Sequence, residues 1–293
     1  MTLVWKPGLI LQSPTASKLI LVNDQRNPAG DAQITYGITS TGGVFNLRST
    51  GTVDYEVEWG DGTVERSTSN TLAHTYAAGS YVLKIRTSQQ YVPYFNNSTD
   101  EDQITSVALV SDLDLGTSLF RAWYGANNIT NFDAAFGVTT GVTDFDTAWR
   151  NCSSLTSFPL IDTSSATNFI SAWNGCTGLT SFPLIDVSSV TTFTSTWLNC
   201  NSLTTFPANF FDSWTGTPGT NCFFRAWELC TSLTATSVEN ILNSIDTSGR
   251  SAPASGVDIT IDYNAASGTP NISTAVSNLK SRNWTITLNG VAQ

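Results

Sequence analysis

Three stretches of this chain align without gaps: FDTAWRNCSSLTSFPL (145–160), FISAWNGCTGLTSFPL (169–184) and FTSTWLNCNSLTTFPA (193–208). In them Trp149, Trp173 and Trp197 recur at a period of 24 residues, as do Cys152, Cys176 and Cys200. Leu155, Leu179 and Leu203, and Phe158, Phe182 and Phe206, keep the same 24-residue interval. An earlier copy, LFRAWYGANNITNF (119–132), carries Trp123 and has Ala126 where the others have Cys. A later one, FFRAWELCTSL (223–233), carries Trp227 and Cys230 and follows an insertion containing Pro218 and Gly219. A fixed period of this length constrains the fold more than any other feature. One copy cannot bury a Trp, a Leu and a Phe alone, so neighbouring copies must stack into a continuous column.

Within a copy, L-x-x-F-x-L (155–160 and 179–184) predicts a strand that sends its apolar side chains into the stack. The preceding F-x-x-x-W pair has i, i+4 spacing, which predicts one face of a helical turn. DTSSAT (162–167) and DVSSVT (186–191) read as return loops, with Asp162 and Asp186 bonding to their own loop backbone. The pattern AW-x-x-C-x-x-L-x-x-F-P, with its D-x-S-S-x-T-N-F linker, resembles the BspA-like leucine-rich repeats and a related short-repeat surface-protein family. The resemblance covers residues 100–245, with Trp where many members have Phe or Met. It implies a leucine-rich-repeat solenoid used in surface adhesion and host recognition, as found on bacterial surfaces and in phage genomes.

Ahead of the repeats, Val53, Tyr55, Val57 and Trp59 alternate with polar residues, the period of a half-buried strand. Gly60, Asp61 and Gly62 supply a tight turn, and Tyr81, Leu83 and Ile85 mark a second strand after Gly79. WGDGT (59–63), with His74, Tyr76, Gly79 and Tyr81 after it, resembles the PKD family. That resemblance implies an immunoglobulin-like β-sandwich acting as a spacer or interaction module, seldom as a catalyst.

The expected organisation is β-rich. It comprises an N-terminal arm of docking strands (1–40), a PKD-like domain (41–92), a linker and N-terminal cap (93–118), the repeats (119–235) and an α/β C-terminal cap (236–293). In the arm, Leu9–Leu11 and Leu19–Val22 are short apolar runs. In the cap, Thr236 and Glu239 form a capping-box signature before helically spaced Val238, Ile241, Leu242 and Ile245. Strands are expected at Val257, Ile259, Ile261 and at Trp284, Ile286, Leu288, with a second helix around Ile272, Val276 and Leu279. A stack of apolar coils needs such closure at its end.

Composition narrows the function. Charged residues make up only 12% of the chain, about half the usual share, and the net charge is −10. Thirteen scattered basic residues offer no phosphate-binding cluster, so no nucleic acid partner is expected. Neither is membrane insertion, since no apolar run approaches a span. The opening MTLVWKPGLILQ reads poorly as a secretory signal.

Five Cys without a C-x-x-C pair fit neither a disulfide framework nor a zinc site, and the single His74 excludes a His-rich one. Copies about 4.8 Å apart place the Cys in an inward column. A buried thiol ladder is the expectation, with redox or metal use the alternative; Cys222 lies outside the register. The Trp column reads as core in preference to a sugar platform. His74 reads as a structural contact near Trp59, Asp61 as a turn former in preference to a calcium ligand, and the run Thr99, Asp100, Glu101 and Asp102 as a solvated interdomain loop. No catalytic pair, phosphate loop or nucleophile elbow is present, and neither cofactor nor enzymatic activity is expected.

Two functions follow. One is a phage virion surface protein, a head decoration or tail-fibre component released by lysis without a signal. It would contact other virion proteins through its N-terminal part and a host-surface glycan or protein through its repeats. The other is a bacterial cell-surface adhesin exported by a non-classical route.

Overall fold

The computed structural model describes residues 9–11, 21–23, 32–51, 54–95, 100–109, 113–133 and 139–293. Of the expected arm, β1 (Leu9–Leu11) pairs antiparallel with β2 (Leu21–Asn23), Ile10 facing Val22. Leu19 and Ile20 lie outside the described residues, as do Val53 and Thr99.

The chain is β-rich, with mixed sheets. The largest sheet runs in the order β5-β4-β6-β3-β8-β9. Its strands are β3 (Ala32–Thr50), β4 (Tyr55–Glu58), β5 (Val64–Ser67), β6 (Thr71–Thr87), β8 (Ile104–Leu109) and β9 (Asn131–Phe132), and β7 (Val92–Pro93) pairs with the far end of β3. Alternation predicts the buried face correctly: Tyr55, Val57, Leu83 and Ile85 point inward, with Ile34, Tyr36 and Ile38 across from them. The expected boundary between residues 40 and 41 falls inside β3, which runs unbroken for 19 residues through it. Gly42 and Gly43 sit at positive φ, 99° and 135°, where two residues without Cβ let the strand bend and continue.

The segment 93–118 does more than link. β8 lies antiparallel to β3 with Val107 opposite Tyr36, and parallel to β9 with Val107 opposite Phe132. The sheet thus passes directly into the first repeat. The acidic run is not a solvated loop: Glu101 is fully buried and Asp100 nearly so. Asp100 Oδ2 accepts from Asn46 Nδ2 (2.9 Å) and Arg48, and Asp102 Oδ1 accepts from Asn127 Nδ2 (2.9 Å). Hydrogen-bonded partners from both sides make this burial tolerable and tie the sheet to the first copy.

In the repeats, backbone groups divide between two jobs. Phe145, Thr147, Trp149 and Asn151 donate their N–H to the carbonyls of Asn168, Ile170, Ala172 and Asn174 in the next copy, at 2.8–2.9 Å. The intervening N–H groups of Ala148, Arg150 and Cys152 donate within the copy, to the carbonyls three residues back. The pattern repeats from Phe169 and again from Phe193, where Phe193 N reaches Cys222 O and Trp197 N reaches Ala226 O (3.0 Å) across the insertion. The insertion leaves the ladder intact and buries Trp214, whose Nε1 donates to Val190 O (2.6 Å).

Two sequence expectations fail here. The F-x-x-x-W segment is a train of tight turns, not a helical turn, because two positions per copy have positive φ. These are Arg121, Thr147, Ser171, Ser195 and Arg225 (52–58°), and Gly125, Asn151, Gly175, Asn199 and Leu229 (61–81°). Left-handed backbone costs a non-glycine residue about 1–2 kcal/mol, and the ladder bonds on either side hold it in place. L-x-x-F-x-L forms no continuous strand; a single bridge joins Ser181 to Thr205. Leu155 and Phe158 are buried, but Leu160 and Leu184 are 65% and 53% exposed, and Ile161 and Ile185 turn inward instead. Pro159 and Pro183 lack the N–H a strand would use, so the chain turns after Phe.

The stack is closed at its far end. Helix α1 (Ala235–Thr247) is N-capped by Thr234, whose hydroxyl accepts from Ser237 N (3.2 Å). Thr236 and Glu239 do not form the expected box: Glu239 Oε1 accepts from Asn271 N (2.6 Å) instead. Thr234 takes the cap because its own N–H is already fixed to Thr204 O (3.2 Å) in extended backbone. β10 (Val257–Ile261), α2 (Ser273–Ser281), β11 (Trp284–Leu288) and β12 (Val291–Ala292) follow, with β10 parallel to β11. Asp262 N reaches Trp227 O (3.2 Å) and Asn264 N reaches Leu233 O (2.8 Å), so the cap continues the ladder beyond the fifth copy. No helix among the described residues is long and apolar enough to cross a membrane.

The ladder's core gives a direct test. Trp173→Ala should lower unfolding free energy by about 3–5 kcal/mol in urea titrations, because a buried indole leaves a cavity between two others. Trp173→Phe should cost clearly less, and Leu184→Ala, on the exposed edge, no more than about 0.5 kcal/mol.

Candidate functional site

The residues that the sequence singles out as repeat core are all brought together. Trp123, Trp149, Trp173, Trp197 and Trp227 are fully buried, as are Cys152, Cys176, Cys200, Cys230, Leu155, Leu179 and Leu203. Phe158, Phe182 and Phe206 are buried as well. Successive indoles lie nearly parallel, 7–11° apart, with centroids separated by 5.7, 5.2, 6.2 and 5.1 Å. Each meets a Phe edge to face, such as Trp149 with Phe158 and Trp173 with Phe182, both at 4.8 Å. Such pairs add about 0.5–1.5 kcal/mol to burial. The indole N–H groups of Trp149, Trp173, Trp197 and Trp227 make no hydrogen bond, so the column is held by packing. Buried this way, the Trp column offers no platform to a sugar.

The thiols have a defined task. Cys152, Cys176, Cys200 and Cys230 each direct Sγ at the carbonyl of the Trp one copy earlier, at 3.3, 3.2, 3.2 and 3.0 Å. They therefore serve as weak donors as well as small apolar fillers. All five Cys are free thiols. Burial pushes Cys176 and Cys222 up to about 12 and drives Cys152, Cys200 and Cys230 upward too. Cys222 occupies the position before Phe223, its N–H on Gly219 O (3.1 Å) and its carbonyl accepting from Phe193. Among the described residues no cluster of His, Cys, Asp and Glu is placed to hold a metal.

The motif around Trp59 forms one compact unit. The His74 ring stacks on Trp59 at 4.5 Å and 10°, and its Nε2 lies 2.8 Å from Asp61 Oδ2. Asp61 Oδ1 accepts from Thr63 N (3.0 Å) and Thr63 Oγ1 (2.6 Å), closing the turn between β4 and β5. Gly60 has φ 85°, and a Cβ there would approach Val82 O at 2.6 Å. Gly62 also has positive φ, 97°. Tyr76 Oη donates to Trp59 O (2.8 Å), and Tyr81 stacks on Tyr76 at 4.4 Å, next to Gly79. The arrangement braces the turn between β4 and β5 against the Trp59 ring.

Surface groups tell a different story from these frameworks. One solvent-facing position is Thr in every copy: Thr130, Thr156, Thr180, Thr204 and Thr234. Another carries Thr143, Thr167 and Thr191, whose hydroxyls donate to the carbonyl of the corresponding Thr one copy earlier (3.0–3.2 Å). Away from the F-x-x-x-W side, then, Thr recurs at two positions. On the F-x-x-x-W side the outward residues differ in every copy but the first and last. The residue after the first aromatic position is Phe120, Asp146, Ile170, Thr194, Phe224, and that after Trp is Tyr124, Arg150, Asn174, Leu198, Glu228. Phe120 is 40% exposed, Phe224 51% and Leu229 46%. The side chains form one surface: Arg121 lies over the rings of Phe120 and Tyr124 (5.1 and 5.4 Å), and Arg150 over Tyr124 (5.7 Å). At the other end Arg225 pairs with Glu228 through two bonds, 2.6 and 3.1 Å. This face is the candidate functional site. Core-seeking motifs pass over it, yet the variation between aligned copies is a signal present in the sequence.

Comparisons of the chain with protein-family models, with curated proteins and with solved structures find no match.

Two measurements bear on this geometry. A thiol reagent at pH 8 should leave native protein unlabelled and titrate all five Cys once the chain is unfolded in denaturant. Asp61 is held down to about 2 by Thr63, first through its hydroxyl and then its amide, with His74 adding to the effect. Since an unfolded Asp titrates near 4, its stabilisation is complete above about pH 4 and is lost as pH falls towards 2. The melting midpoint of Asp61→Asn should therefore fall less steeply than that of the parent between pH 4 and 2.

Proposed function

We propose that this chain is a non-enzymatic surface protein of a phage particle, a head decoration or a tail-fibre component used in host attachment. In this reading an immunoglobulin-like sandwich supports a leucine-rich-repeat solenoid closed by an α/β cap, and the F-x-x-x-W face is displayed for binding. One observation carries it: the outward Phe, Tyr and Arg of the repeats gather on that face and vary there from copy to copy, while Thr recurs at two positions of the other sides. A scaffold that only filled space would have no cause to gather its outward Phe, Tyr and Arg on one side. Aromatic and Arg side chains are also the types that dominate binding surfaces. The PKD-like and BspA-like resemblances support a displayed module, as does a surface with few charges. The N-terminal part would contact other virion proteins, and the face a host glycan or protein.

Immunogold labelling of a source lysate with an antibody to residues 119–293 tests the location. Gold on particle heads or tails is the expected result, and its position decides between decoration and fibre. Gold on cell envelopes with bare particles would replace this reading by that of a bacterial adhesin. The face is tested separately: Phe120→Ala with Phe224→Ala should cut attachment to host cells at least tenfold while leaving the melting midpoint unchanged.

A further inference from the structure

We infer that the first end of the variable face, formed by Phe120, Arg121, Tyr124 and Arg150, binds an acidic saccharide, with its carboxylates on the two guanidinium groups and a sugar ring against Phe120. The inference rests on the reading of this face as a binding surface and adds the class of ligand.

Within residues 119–235 the only basic side chains are Arg121, Arg150 and Arg225, and all three lie on this face. Arg225 is neutralised by Glu228, which binds it bidentately through Nε and Nη2. Arg121 and Arg150 differ: neither donates a side-chain hydrogen bond or forms an ion pair within the described residues, and their Nε groups are buried without a partner. What holds them is the Tyr124 ring, within 5.7 Å of both. Stacking on an aromatic ring orients a guanidinium while leaving its outer N–H donors free, and that fork matches a carboxylate.

The carboxylates nearby do not fill the role. Asp144 is saturated by Ser118 Oγ (2.8 Å), Asn168 Nδ2 (2.8 Å) and Asp146 N (3.1 Å). Asp146 is half-buried, and burial, with Asp144 beside it, raises its pKa in spite of the two Arg. Asp144 belongs to the framework beneath the patch, whereas Asp146, on the face itself, attracts both guanidinium groups without a hydrogen bond to either. Elsewhere a net charge of −10 repels anions, so a polyanion finds its favourable contact where two unengaged guanidinium groups stand together.

The geometry favours a sugar over a protein. The patch consists of four side chains, Phe120, Arg121, Tyr124 and Arg150, far fewer than the roughly 20–30 residues a side that a stable protein interface uses. Beyond them the face continues with the half-buried amide of Asn174, a group that suits sugar hydroxyls.

Calorimetric titration of the full chain with hexagalacturonate, sialyllactose and polysialic acid tests the idea, alongside the methyl ester of hexagalacturonate and neutral dextran. Binding by at least one acid sugar is expected, weakened at least tenfold by Arg121→Gln or Arg150→Gln and by Phe120→Ala, and unchanged by Arg66→Gln in β5, away from this face. For galacturonate binding, esterification should abolish the heat, a control that needs no variant. Absence of binding by all three acid sugars overturns the inference, as does equal binding of the ester or full binding by the Arg121→Gln, Arg150→Gln double variant. Should the parent still attach to host cells through Phe120 and Phe224, the ligand class would fail and the binding face would stand.

Discussion

Everything in the repeat region depends on one hydrogen-bond ladder, in which alternate N–H groups of the F-x-x-x-W segment reach across to the next copy. Because the donors are spaced two residues apart, the groups between them must find partners at home, and tight turns supply those. That division imposes left-handed backbone at two points per copy. It also brings each Trp directly over the next, and each Cys under the carbonyl of the preceding Trp. Packing and backbone therefore agree copy after copy, and the four indole N–H groups left without a partner are a cost that the burial and stacking of the rings must offset.

A ladder of this kind has two raw ends, and the chain meets each with different material. At the start, the main sheet itself provides the partner: β9 is both the last strand of the sheet and the end of the first copy. The acidic run, read from sequence as solvated, is the buried fastening of that joint. At the far end, β10 takes the place of a sixth copy through Trp227 and Ile261, and α1 covers what is left. The region between is thus held at both sides, which fixes the outward columns of the face relative to one another.

Much of this was legible in residues. The 24-residue interval announced stacking, and the Trp, Cys, Leu and Phe columns are buried as their spacing implied. The Gly60 turn and the His74 contact with Trp59 were also readable. What periodicity misjudged was backbone conformation. An i, i+4 pair of aromatics looks the same in a helical turn and in consecutive turns with Thr147 and Asn151 left-handed; the Asn or Gly two residues after most of the Trp was the available clue. Likewise Leu160 fitted a strand pattern until Pro159 is weighed, since the missing N–H breaks the alternation and hands the inward place to Ile161. The buried columns are marked by sameness between copies, whereas this surface is marked by difference.

The first and last copies share the dipeptide Phe-Arg at their outward positions, Phe120–Arg121 and Phe224–Arg225, with three dissimilar copies between. With one copy rising by about 4.8 Å, the two are held roughly 19 Å apart. The stack is in effect a ruler graduated in whole copies. Gaining or losing one 24-residue unit in the middle would change the span by a single graduation and leave both ends chemically intact. Reach along a multivalent target is thereby open to adjustment in discrete steps, independently of what either end recognises.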